Sequence, residues 1–208
     1  MQIADLIHRY PDLTNNAAEI SAAFEMLKLT FESGGKLLVC GNGGSASDSE
    51  HIVGELMKGF RSRRPIPAED RARLHSADPV DYLADHLQGA LPAVALVAHA
   101  ALFTAFINDV AADMVFAQQV YGLGRPGDAL LCISTSGNAA NVLNAARVAR
   151  AFGLHTLGLI GRDGGALRAL CDVTICVPGA DTAQIQEHHL PVYHTLCLML
   201  EEVFFSDD

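Results

Sequence analysis

Positive charge is scarce in this chain. Its 208 residues hold 14 Lys and Arg against 24 Asp and Glu, a formal net charge of −10, which argues against a DNA or RNA backbone as partner. Any phosphate it binds must be gripped by local dipoles and hydroxyls, since global attraction is missing. Long hydrophobic runs are missing too: apolar stretches are short, broken by Gly or charge, and none approaches the length of a membrane span. Near the N-terminus, His8, Arg9 and Pro11 stand where a signal peptide would carry its apolar core. There is no CxxC pair. The five cysteines (Cys40, Cys132, Cys171, Cys176 and Cys197) are odd in number and scattered. They read as reduced core residues of a cytoplasmic protein, not as a disulfide framework or a metal knot. No internal repeat or low-complexity stretch is found.

What is present is enough for a core. Half of the residues are hydrophobic and only 18% are charged, which excludes a disordered chain, and the length suits one domain over residues 1–208. Helical spacing of apolar residues runs over 15–31 and stops at Ser33-Gly34-Gly35. A strand at 36–40, a helix over 46–60, a strand at 92–96 and helical segments near 99–106 and 113–121 follow. A strand at 129–133, a helix over 138–151, strands at 154–160 and 172–177 and a long last helix over 182–204 complete the series. Alternation of this kind predicts an α/β fold. It is a three-layer αβα sandwich on a mainly parallel sheet, of flavodoxin- or Rossmann-like type, with long N- and C-terminal helices. The polar, helix-patterned segment 68–89 reads as a helical insertion.

Two small-residue turns carry the chemistry. Cys40-Gly-Asn-Gly-Gly-Ser-Ala46 and Ile133-Ser-Thr-Ser-Gly-Asn138 each follow an apolar strand and open a helix. A turn of this shape leaves backbone N–H groups pointing out at the helix start, where the dipole favours an anion. Ser134, Thr135 and Ser136 add hydroxyls suited to phosphate oxygens. Gly41-Asn-Gly43-Gly-Ser-Ala46 also fits the G-x-G-x-x-G/A dinucleotide fingerprint. That reading wants an acidic residue closing a second strand about 20 residues on; here Pro65-Ile-Pro67 precedes Glu69. A phosphorylated ligand without a dinucleotide is the better expectation.

His51 and Glu55 lie four residues apart on the helix that the first turn opens, so they share a face. Gln186, Glu187, His188, His189 and His194 crowd the first half of the last helix. A lone helical His is more often structural than catalytic, and His75, His86 and His99 read as surface or packing residues. A carboxylate and an imidazole near a bound sugar phosphate, however, are what proton transfer beside a carbonyl requires. The same pair is also ordinary zinc chemistry.

Taken together, Asn42-Gly-Gly-Ser45, His51-x-x-x-Glu55, Asn108-Asp109, Ser134-Thr-Ser-Gly-Asn138 and Gln186…His194 resemble the sugar isomerase (SIS) domain family, and within it the phosphoheptose isomerases. The resemblance runs from the first long helix to the last. It implies aldose–ketose isomerisation of a sugar phosphate through an enediol, with sedoheptulose 7-phosphate the leading substrate. Glu55 would move the proton between C1 and C2, and His194 would be the partner acid/base. His51, Glu55, Gln186 and His194 match the positions that hold zinc in metal-bound members. Ser45, Ser134, Thr135 and Ser136 match phosphate and hydroxyl contacts, while Asn42, Gly43, Gly44, Asn108 and Asp109 line the sugar. A homotetramer with active sites shared between subunits is implied as well. The family also holds isomerases for other sugar phosphates, and non-catalytic modules that bind a sugar phosphate or a protein partner such as the replication initiator. Those modules lack the acid/base pair present here.

Three features depart from the pattern or strain it. Ala139 stands where the family loop continues with Ser, which removes one hydroxyl contact. The 68–89 segment either covers the active site or decorates the surface. Gln186 and His194 are eight residues apart, about 12 Å of rise on a regular helix, with Pro191 between them.

Overall fold

The computed structural model describes residues 2–77 and 80–205. Five strands, β1 (Leu37–Gly41), β2 (Ala93–Ala95), β3 (Ala129–Ser134), β4 (His155–Gly161) and β5 (Val173–Val177), form one parallel sheet in the order β2-β1-β3-β4-β5. This is the flavodoxin-like order, in which the chain reverses direction across the sheet between β1 and β3. The helices are α1 (Ile3–Arg9), α2 (Ala17–Glu32), α3 (Gly44–Met57), α4 (Ala68–His75), α5 (Tyr82–His86), α6 (Ala100–Asp109), α7 (Val115–Leu123), α8 (Ala140–Ala151) and α9 (Thr182–Phe205).

β1 and β3 are buried along their whole length, the consequence of helices on both faces. Because side chains alternate, Leu37, Val39, Leu131, Ile133, Leu157 and Leu159 join the core beneath α1, α2, α3 and α9. Leu38, Cys40, Leu130, Cys132 and Ile160 join the other core, beneath α7 and α8. The three-layer sandwich expected from the alternation is therefore present. All five cysteines are free thiols.

The differences lie in short elements. α1 buries Leu6 alone, too little to register as a periodic pattern, and a 3₁₀ segment over Pro11–Asn16 links it to α2. Between β4 and β5 the crossover holds only a 3₁₀ turn, Gly165–Ala169. Segment 68–89 does become helical, as α4 and α5, and it is closed at its base by the Pro65–Gln88 bridge and by Gly89 N–H donating to Arg64 C=O at 2.7 Å. Residues 78 and 79 fall outside the described residues. α3 carries the chain from the carboxyl end of β1 to the opposite end of the sheet, and the segment departs from there. It is no roof over the two small-residue turns; α4 buries none of its side chains.

One buried ion pair fixes the far end of α3. Arg64, with no exposed surface and φ of 46°, donates from Nε to Glu201 Oε1 (2.8 Å), and to the carbonyls of Leu56 (2.8 Å) and Glu55 (3.0 Å) that α3 leaves unpaired at its end. Its guanidinium lies 4.6 Å over the Phe205 ring. The Glu201 carboxylate also accepts from the N–H groups of Phe60 and Arg61, both at 2.8 Å. Burial pushes Glu201 toward the neutral form, but these two N–H groups and Arg64 outweigh it and hold its pKa below the usual carboxylate range.

Removing one partner strands the other in the core, so Glu201→Ala should cost about 3–5 kcal/mol of stability, read by urea denaturation. A depressed pKa contributes stability above the unfolded-state value that is lost as the pH falls through the folded-state value. The wild type should therefore lose stability on acidification through that window, and Glu201→Gln should lack this component.

Candidate active site

Three helix N-termini meet at the carboxyl end of the sheet, on either side of the β1/β3 reversal. Gly43, with φ of 59°, turns the chain from β1 into α3. Gln186 from α9 lays its amide against Gly44, where a Cβ would displace it. Ala139 leads into α8, and Asp181 caps α9 by accepting from Gln184 N–H at 3.0 Å. The cleft between them spans about 630 Å³ including its open mouth, and is lined by Asn42, Gly43, Gly44, Ser45, Ile133, Ser134, Thr135, Ser136, Ala139, Thr182 and Gln186. Aligned helix dipoles and hydroxyls favour an anion here, in a chain of net negative charge.

The serine turn is pre-shaped by its own hydrogen bonds. Ser134 Oγ accepts from Gly137 N–H (3.1 Å) and Ser136 Oγ from Asn138 N–H (3.3 Å). Gly137 takes φ of 64° and abuts the Gly164 carbonyl, so no other residue fits. Asn42 exchanges a pair of 2.9 Å amide hydrogen bonds with Asn141, which ties the glycine turn to α8 across the reversal point. Its amide thus serves the loop at the cleft's edge.

A second cluster lies farther down α3, against α9. His51 Nε2 is 3.2 Å from Glu55 Oε1 and 3.5 Å from His194 Nε2, and Lys58 Nζ is 3.4 Å from Glu55 Oε2. Glu55 is buried, His194 is half-buried and His51 is exposed. Burial and then the neighbouring His51 lower the pKa of His194, against an opposing pull from Glu55, which favours a neutral imidazole. Tyr193 Oη lies 3.0 Å from His51 Nδ1 and 3.3 Å from Asp48 Oδ1. Burial, then the Asp48 carboxylate, raise the Tyr193 pKa far above that of a free phenol. The other α9 histidines have packing roles. His188 Nδ1 lies 2.9 Å from Pro178 C=O, and His189 is buried and pushed down to about 4, mainly by that burial.

The residues expected to act together thus divide into two groups within one chain. Asn42, Gly43, Gly44, Ser45, Ser134, Thr135, Ser136 and Gln186 share the cleft, while His51, Glu55 and His194 share the lower cluster. Among the described residues, no hydrogen bond joins Gln186 to the lower cluster; α9 passes Pro191 as one helix and keeps Gln186 and His194 apart. Asn108 and Asp109 stand exposed at the end of α6, where Asn108 Nδ2 donates to Asp109 Oδ1 at 2.8 Å. Sequence reasoning missed Thr182, Asp48 and Tyr193. Asp48 is legible in retrospect, three residues before His51 and so on the same face of α3. Tyr193 reaches His51 only through the packing of two helices.

The donor set can be tested against zinc. Ligand atoms around a tetrahedral zinc ion sit about 3.3 Å apart, and the 3.2 and 3.5 Å separations at His51 match that spacing. Among the described residues, though, no three His, Cys, Asp or Glu side chains close around a common point. The residues fit the ion as a donor set, with the cage incomplete in a single chain.

Comparison with known proteins gives the lineage. The SIS domain model matches residues 2–84 and 75–161, two stretches that meet within the α4–α5 segment. A phosphoheptose isomerase of Trichlorobacter lovleyi is 40% identical over 195 residues, covering 94% of this chain and 86% of that protein. One from a Roseiflexus species is also 40% identical, covering 94% and 87%. Among solved structures, a phosphoheptose isomerase from Neisseria gonorrhoeae superposes with a TM-score of 0.76 at 34% identity, covering 96% of this chain and 94% of the other. The chain belongs to the SIS domain family, in its phosphoheptose isomerase branch.

Proposed function

We propose that the protein is an aldose–ketose isomerase that interconverts sedoheptulose 7-phosphate and D-glycero-D-manno-heptose 7-phosphate. The observation that carries this reading is the buried Glu55 carboxylate set beside two imidazoles, on the same helix pair whose N-termini form the anion cleft. The cleft takes the phosphate through the helix N-termini that meet there and the hydroxyls of Ser134, Thr135, Ser136 and Thr182. Glu55 removes the C1 proton of the open-chain ketose and returns it to C2. His194, held neutral, moves the hydroxyl proton between O2 and O1, so the enediol never carries a full oxyanion. Lys58 Nζ stands at the other oxygen of Glu55, 3.4 Å away.

His51, Glu55, Gln186 and His194 are the residues that would hold zinc, which when bound supplies Lewis-acid polarisation of the carbonyl. Because α9 holds Gln186 two turns away from His194, Gln186 completes this set only through a second copy of the chain. Glu55 is eleven residues beyond Gly44, roughly 16 Å along the axis of α3, so the carboxylate and the cleft stand at different levels of one helix pair. We therefore read the active site as shared between subunits of a homotetramer, and Asn108 and Asp109 as contacts to a neighbour's sugar. α6 supports this: it is rich in apolar residues yet buries none of them, with Leu102 and Ile107 exposed. In the described residues no helix is long and apolar enough to cross a membrane. With its reduced cysteines, the protein suits the cytoplasm and a supply of heptose for lipopolysaccharide.

Incubation with sedoheptulose 7-phosphate, with and without zinc, should yield the aldose by NMR; no turnover in either condition overturns the proposal. Glu55→Gln should lower turnover by about 10²–10⁴-fold and leave phosphate binding intact. Restoring the missing hydroxyl, Ala139→Ser, should tighten inorganic phosphate binding by about 0.5–1.5 kcal/mol in calorimetry.

A further inference from the structure

His51 presents two different nitrogens to two different neighbourhoods. Nε2 faces Glu55 and His194, at 3.2 and 3.5 Å. Nδ1 faces the Tyr193 hydroxyl at 3.0 Å, and that hydroxyl lies 3.3 Å from Asp48 Oδ1. The rings of His51 and Tyr193 meet nearly edge to face, with centroids 5.5 Å apart. Tyr193 is almost wholly buried, so its oxygen has little water to turn to.

The donors and acceptors can be assigned one by one. A carboxylate only accepts, and a phenol has a single proton. With the Tyr193 proton given to Asp48 at 3.3 Å, the phenol oxygen is left to accept from His51 at 3.0 Å. Nδ1 then carries the imidazole hydrogen and Nε2 carries the lone pair. Left to Glu55 alone, the ring would do the reverse and donate Nε2–H to that carboxylate. A lone pair aimed at a carboxylate and a second imidazole is the arrangement a cation completes.

We propose that Asp48 and Tyr193 form a relay that holds His51 with its hydrogen on Nδ1 and its Nε2 lone pair turned toward Glu55 and His194. Tyr193 is thereby a positioning residue for a metal-binding nitrogen. The inference rests on the zinc reading of the site only for its purpose; the tautomer itself is a property of the metal-free chain. The device couples two helices: Asp48 and His51 come from α3, and the hydroxyl comes from α9.

The test uses ¹⁵N-labelled, metal-free protein at about pH 8, where a free imidazole is neutral. Long-range ¹H–¹⁵N spectra should show the wild-type His51 as the Nδ1–H form. Tyr193→Phe keeps the ring but removes the hydroxyl, and should move His51 to the Nε2–H form bonded to Glu55. Asp48→Asn should move it the same way by less. In chelator competition, Tyr193→Phe should bind zinc about 10–100-fold more weakly than wild type, the usual effect of losing an outer-shell partner of a ligating histidine. An Nε2–H ring in the wild type, or a tautomer unchanged in both variants, overturns the proposal. If the tautomer shifts as stated but the wild type takes up no zinc, the relay stands and the zinc reading falls.

Discussion

Seven residues separate Gly44 from His51 on α3, and seven separate Gln186 from Tyr193 on α9. The first of each pair touch, and so do the second. Two helices that repeat their contact every two turns lie side by side over their length, and the chemistry of the chain depends on that alignment. At the upper end a glycine lets Gln186 sit against the α3 backbone. At the middle, Tyr193 and His194 meet His51. At the lower end, Arg64 ties the last carbonyls of α3 to Glu201 of α9. The strained backbone at Arg64 and the desolvation of two charges are offset because every polar atom of the clamp is used.

The sheet determines where the cleft opens, and the helix pair determines which side chains gather below it. Reversal of chain direction between β1 and β3 opens a crevice at their carboxyl ends, and both small-residue turns follow those two strands. Neither lysine nor arginine lines the cleft. In a chain of net charge −10 the cleft offers dipoles and hydroxyls in place of positive charge, which favour an anion by direction more than by charge.

Much of this was readable from the residues. The αβα sandwich followed from alternating strand and helix patterns, and the strand ends were placed within a residue or two because buried parallel strands are continuous apolar runs. The cleft was readable for the same reason: Asn42-Gly-Gly-Ser45 and Ser134-Thr-Ser136 are local, and local geometry makes the site. The His51/Glu55 pair was readable from its spacing of four. Thr182 was not, because a single threonine at a helix start carries no pattern. Tyr193 was not readable either, because nothing local marks a tyrosine within the last helix as a partner of His51.

The sequence by itself determined the elements, the two small-residue turns and the His51/Glu55 pair on α3, since each depends on residues within a turn or two of one another. Only the tertiary structure decided which of these share a space. It put Gln186 with the cleft and His194 with His51, sent the α4–α5 segment to the far end of the sheet, and brought Tyr193 to His51. Contacts between α3 and α9 join residues more than 130 positions apart. No short-range periodicity encodes a distance of that kind; it is set by how two helices pack on one sheet.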